Sequence, residues 1–340
     1  MKVLVTGGGG FLGSAIARQL NARGDTVIAY QRRPAPDLET LGIQCIRGDV
    51  ADAAALENAL AGCDAVIHTA GKAGIWGPAH EYHRVNVTGT DNVIQACRSL
   101  QIRYLVHTSS PSIVHAGGDI EGGDESLPCP DHFASPYPAT KAVAERRVLA
   151  ANAPSLRTTA LRPHLIWGPG DPHLLPRLLK KVRRGRLALP GADKLIDTVY
   201  VDNAAHAHLL ALDELQGAGR CAGKPYFISN DEPLPQGEVI TRLLGAAGHP
   251  VAIRPVPAAL ALAAGAVLES GWKLLRIDSE PPLTRWAAEQ LCTAHWYDLS
   301  AAKRDLAYVP RISIAEGLER LARCLPRDAR DAQSGWPPTP

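Results

Sequence analysis

The segment YPATKAVAE holds Tyr137 and Lys141 four residues apart at the start of a helix-like run. On a helix that spacing puts both side chains on one face. A free phenol titrates near pH ~10, so it becomes a useful proton donor at neutral pH only beside a cation, which Lys141 would supply. Upstream, VHTSSPSIV ends an apolar stretch with three hydroxyls, Ser109, Ser110 and Ser112, any of which could bind a reacting carbonyl oxygen. A tyrosine and lysine at this spacing recur by chance; their meaning depends on the rest of the chain.

Near the start, TGGGGFLG packs five glycines into eight residues, Thr6 to Gly13. Glycine at that density costs conformational entropy and implies backbone that side chains would obstruct. An apolar strand leads in, and FLGSAIARQLNARG leads out with Phe11, Leu12, Ala15, Ile16 and Leu20 on one helical face. Between a strand and a helix N-terminus, the N–H groups and helix dipole suit a dinucleotide pyrophosphate. The spacing Gly7-x-x-Gly10-x-x-Gly13 departs from the commoner G-x-G-x-x-G. The second strand ends at Gln31, where an acid would select NAD, and Arg32 and Arg33 follow. Two guanidiniums suit a 2′-phosphate, so NADP(H) is the expected cofactor.

These groups need a scaffold. Through about residue 165, short apolar strands (KVLVTG, DTVIAYQ, IQCIRGDV, DAVIHTAG, YLVHTSS, TTALRPHLIWG) alternate with helix-like runs. The pattern predicts an α/β fold: a doubly wound parallel sheet of the Rossmann type, with ligands at the C-terminal strand ends. The domain reading is residues 1–168 for the cofactor and catalytic groups, 169–323 for a smaller substrate-binding lobe with some chain returning to the core, and 324–340 as a disordered tail. The 340 residues are 46% hydrophobic and 21% charged with net charge +2, which implies a sizeable core and no nucleic-acid partner. Seven scattered cysteines without C-x-x-C fit a reducing compartment, and the first strand begins too early for a signal peptide. The uncharged Ala- and Leu-rich run Pro255–Leu268 has 14 residues, too few for the ~20 of a bilayer span. A cytoplasmic protein is expected. His80, His83, His115 and His164 lack a completing carboxylate cluster, so no metal site is expected.

The motifs TGGGGFLG, GDVAD, HTAG, NVTGTDNVIQAC, TSSPS, YPATKAVAE, LRPHLIWGPGD and DTVYVDNAAHAHLLA together resemble the extended short-chain dehydrogenase/reductases, in the 3β-hydroxysteroid dehydrogenase-like branch. In the C-terminal half, CAGKPYFISNDEPLP, EPPLTRW, EQLCTAHWYD and YVPRISIAEGLERL resemble the reductases that act on 2-alkyl-3-oxoalkanoates in bacterial long-chain olefin synthesis. The resemblance spans residues 1 to about 323. It implies that Tyr137 is the acid/base, Lys141 its partner, and Ser110 the carbonyl-binding hydroxyl, with Ser109 and Ser112 as rivals. It also implies that Gly7, Gly10, Phe11, Leu12 and Gly13 hold the pyrophosphate and that Asp49 and Val50 meet adenine. Ala70 and Gly71 would pass under the cofactor, and Pro163 would flank the nicotinamide. A homodimer, and an assembly with other enzymes of that pathway, are implied as well.

The expected activity is NADPH-dependent reduction of a 2-alkyl-3-oxo acid. The alternatives are a hydroxysteroid or sterol-carboxylate dehydrogenase, a nucleotide-sugar epimerase or dehydratase, and a non-catalytic NADPH-binding protein. A keto acid needs a partner for its carboxylate inside an apolar pocket. Lys72, directly after HTAG, is the expected anchor, with Ser112 and His164 nearby. The hydrocarbon arms are expected against Trp76, Trp167 and a Val256–Leu275 lid.

Overall fold

The computed structural model describes residues 1–275, 277 and 279–324. The expected tail therefore lies, from 325 onward, outside the described residues, while Cys324 closes a helix, Ile314–Cys324.

Seven parallel strands form the central sheet: β1 (Lys2–Thr6), β2 (Thr26–Gln31), β3 (Gln44–Arg47), β4 (Ala65–His68), β5 (Tyr104–Thr108), β6 (Arg157–Pro163) and β7 (Pro225–Ile228). Their order is β7-β6-β5-β4-β1-β2-β3, the doubly wound sheet that the strand–helix alternation predicts. Neighbours in β1 belong to different cores: Val3 and Val5 pack on one face, Leu4 on the other. A strand buried on both faces reads as a continuous apolar run, which is why KVLV shows no alternation. The order reverses between β1 and β4, and the register brings Thr6 level with both Tyr30 and His68. Such a switch point leaves a crevice at the C-terminal strand ends.

Three helices position the groups around that crevice. Helix α1 (Phe11–Ala22) begins at the glycine turn. Helix α2 (Pro136–Ala150) starts with proline at its first position, where the missing N–H costs nothing, and carries Tyr137 and Lys141. It is tied to the sheet by a buried, two-point ion pair: Arg162 of β6 donates from Nε to Glu145 Oε2 at 2.9 Å and from Nη2 to Oε1 at 2.6 Å. Glu145 lies one turn beyond Lys141, so this pair fixes the face that both catalytic candidates share. Helix α3 (Val201–Gln216) packs on α1, and its His208 Nε2 meets Thr108 Oγ1 at 2.8 Å. The chain thus re-enters the core after residue 168 through α3 and then β7.

The remaining lobe holds a four-stranded sheet (Ile120–Gly123, Leu195–Ile196, Leu234–Pro235, His295–Tyr297) and two packed helices, α4 (Ala258–Leu274) and α5 (Arg285–Cys292). Among the described residues, no helix is long and apolar enough to cross a membrane.

Candidate active site

One cavity of about 750 Å³ runs along the C-terminal ends of the strands. Its first end is backbone. Gly7 has φ +68°, and a Cβ there would stand 2.9 Å from the Ala70 nitrogen; a Cβ on Gly13 would fall 2.1 Å from the Gly7 carbonyl oxygen. Gly10 caps α1 without a side-chain bond, and Gly10, Phe11, Leu12 and Gly13 form the cavity wall where the first N–H groups of a helix lack intrahelical partners. This cradle, closed to any larger residue, fits a dinucleotide pyrophosphate. Arg32 and Arg33 are exposed at its rim, and Asp49, Val50, Ala70 and Gly71 continue the wall. Burial opposes ionisation of Asp49, but the Ala51 N–H and the Arg84 guanidinium, 2.8 Å away, hold its carboxyl below the usual range.

In the middle stand the candidate proton-transfer groups. The Tyr137 phenol and the Ser110 side chain are neighbours in the cavity wall, and Ser110 Oγ lies 2.9 Å from Ser112 Oγ. Ser110 is held in place because its oxygen also caps the short turn Pro111–Val114, accepting the Ser112 N–H at 3.3 Å. Ser109, the third rival, is buried with its hydroxyl unpartnered. Burial pushes the Tyr137 phenol above its ordinary value, partly offset by the neighbouring Ser110 hydroxyl. The phenol therefore stays protonated at neutral pH, the state that a proton donor needs. Lys141 is 6% exposed and sits behind this pair rather than in the cavity wall. Its Nζ donates to the Thr108 carbonyl at 2.5 Å and lies 3.4 Å from His107 Nε2. Burial lowers its ammonium to about 8.

The far end is lined by Pro163, His164, Leu165, Ile166, Leu174 and Arg177, with Trp286, Gln290 and Tyr297 from the lobe. Three substrate candidates lie elsewhere. Lys72 is ion-paired with Glu81, while its backbone is gripped by Asn86, which accepts the Lys72 N–H at 2.6 Å and donates to its carbonyl at 3.1 Å. Trp76 sits in the same turn, its carbonyl accepting the Tyr82 hydroxyl at 2.9 Å, outside the wall. Trp167 is 2% exposed, donates to Thr198 Oγ1 at 3.0 Å and packs edge-on against Tyr200. The Val256–Leu275 segment is likewise not the wall. Helix α4 packs through Gly265 onto α5, leaving Leu260, Val267, Leu274 and Leu275 exposed, and it is α5 that reaches the cavity.

Several residues of the site carry no sequence signal of their own. Asn86 lies in a π-helical turn, His83–Thr88, and also donates to Thr140 Oγ1 at 3.0 Å, joining the Lys72 turn to α2. His107 reads as a buried strand residue, and Asp197 as part of a strand motif.

Three comparisons bear on this geometry. Residues 4–253 match the model of the 3-beta hydroxysteroid dehydrogenase/isomerase family. The chain is 54% identical over 324 residues to the 2-alkyl-3-oxoalkanoate reductase of Stenotrophomonas maltophilia (strain K279a), covering 94% of this chain and 98% of that protein. It is 47% identical over 330 residues to the enzyme of that name from Shewanella oneidensis, covering 94% and 85%. Among solved structures, MoeE5 in complex with UDP-glucuronic acid and NAD is similar, with TM-score 0.73, 26% identity and coverage of 95% and 98%.

Proposed function

The chain belongs to the 3-beta hydroxysteroid dehydrogenase/isomerase family, and from that premise we propose that it reduces 2-alkyl-3-oxoalkanoates to 2-alkyl-3-hydroxyalkanoates with NADPH. It is an oxidoreductase acting on a keto or hydroxyl group, and its cofactor is a nicotinamide dinucleotide; Arg32 and Arg33 support the 2′-phosphorylated form. The observation that carries the reading is the juxtaposition of Tyr137 and Ser110, set between the glycine cradle and an apolar end in one cavity.

The cofactor would supply a hydride to the keto carbon. Gly7 and the α1 N-terminus would hold its pyrophosphate, Asp49 and Val50 its adenine, and Pro163 the nicotinamide face. Ser110 would fix the carbonyl oxygen, and Tyr137 would donate its proton to that oxygen. Lys141 would place a positive charge behind the phenol, easing loss of the proton, and would hold the nicotinamide ribose. Residues 1–168 thus supply the cofactor and catalytic groups, and 169–323 most of the substrate wall. A homodimer and a cytoplasmic setting complete the reading.

With NADPH, a 2-alkyl-3-oxo acid is expected to be turned over at far higher kcat/KM than a 3-ketosteroid; the reverse order would overturn the assignment. The pH profile carries a second expectation. Because burial lowers Lys141 to about 8, its charge is present below that pH and lost above it. The kcat/KM should therefore fall on the alkaline side with an apparent pKa near 8, since that ratio reports free-enzyme groups. The residual activity of Lys141→Met should lack that limb. A limb that survives in the variant belongs to another group.

A further inference from the structure

We infer that His164, presented by Asp197, binds the substrate carboxylate, and that this contact protects the β-keto acid from losing CO2 before it is reduced. The inference rests on the proposed reading of the substrate as a 3-oxo acid.

Asp197 is 1% exposed, and both of its oxygens are engaged. Oδ1 lies 2.5 Å from His164 Nδ1, and Oδ2 accepts the Tyr297 N–H at 3.1 Å. A carboxylate against Nδ1 keeps the proton on that nitrogen and turns Nε2 away from Asp197. The ring is clamped edge-on by His295 and Tyr297, with centroids 4.9 and 5.3 Å away, and it borders the cavity directly after Pro163. Among the described residues no hydrogen-bond partner takes its Nε2.

The other cations cannot serve as well. Lys72 is committed to Glu81, and Arg177 to Glu280 at 3.1 Å near the surface. Arg32 and Arg33 belong to the opposite end. The histidines around His164 are held neutral: burial, and then His164 itself, push His295 down to about 3 and lower His115. His173, also in the wall, is lowered by burial. Between two carboxylates, Asp197 behind and the substrate in front, the ring would donate from both nitrogens in the complex, Nδ1 to Asp197 and Nε2 to the substrate.

The chemistry gives this contact a second consequence. A β-keto acid decarboxylates when its carboxyl proton passes to its own ketone oxygen through a six-membered ring. The C1–C2 bond breaks, its electron pair forms the C2=C3 enol bond, and CO2 leaves. A site that holds the ketone oxygen on Tyr137 and Ser110 and the carboxylate on His164 keeps the acid ionised and its two oxygens apart, so this ring cannot close.

The test compares His164→Gln and Asp197→Asn with the wild type on a 2-alkyl-3-oxo acid and its methyl ester, with NADPH affinity read by nicotinamide fluorescence as the check of folding. The acid-to-ester ratio of kcat/KM should fall about thirtyfold in His164→Gln, the scale of a lost charge-assisted hydrogen bond, and by a smaller factor in Asp197→Asn. An unchanged ratio in both variants would overturn the inference. If His164→Gln fails to fold, Asp197→Asn carries the same comparison. With NADP+ in place of NADPH no hydride is available, so excess wild-type enzyme should slow CO2 release from the acid, and the variants should not. Equal or faster release on the wild type would overturn the protective role. A wild type that reduces ketosteroids but neither acid nor ester overturns the substrate reading instead.

Discussion

Tyr137→Phe is expected to lower turnover by ~10² or more while leaving NADPH affinity nearly intact, the usual scale of lost general acid catalysis. Phenylalanine keeps the ring and its packing in the first turn of α2, so the only chemical loss is the hydroxyl beside Ser110. Without it, the developing alkoxide would have the Ser110 hydroxyl but no proton donor. Lys141 cannot substitute, because its ammonium points to the Thr108 carbonyl and His107. Steady-state turnover and a fluorescence titration of NADPH measure the two quantities separately. A variant that keeps more than about a tenth of wild-type turnover would remove Tyr137 from the proton-donor role.

The second large effect concerns cofactor choice. Replacing Arg32 and Arg33 together by alanine should weaken NADPH by roughly 3 kcal/mol or more, over a hundredfold, and barely affect NADH. Each charge-assisted contact to a phosphate is worth about 1.5–3 kcal/mol. Both side chains are exposed at the rim of the cradle, so their loss removes charge rather than core packing. The nearby Asp49 carboxylate would repel a phosphate if it stood alone, but Arg84 holds it at 2.8 Å and offsets its charge. Dissociation constants for the two cofactors, measured at one ionic strength because such contacts are screened by salt, decide the matter. A wild type that already binds NADH as tightly as NADPH would contradict the assignment.

What the chain determined locally was legible as it stood. A strand, five glycines and a helix start within thirteen residues of the N-terminus, and those short-range constraints leave little choice about what lies between them. The spacing of Tyr137 and Lys141 belongs to a single helix, so their common face followed from helical geometry alone. Arg32 and Arg33 were readable because a parallel strand delivers its C-terminal residues to the crevice edge. The far end of the cavity was decided by packing between distant segments. Lys72 looked like an anchor until a turn brought Glu81 against it, and Trp167 looked like a wall until the helix at Gly317 closed over it, leaving space for no Cβ. Conversely, His164 becomes a directed group only through Asp197, thirty-three residues later, and through His295 and Tyr297 from another sheet. Periodicity tells which side of an element is apolar. Whether an apolar or charged side chain meets core, partner or cavity depends on which remote surface arrives opposite it, and only the tertiary structure supplies that surface.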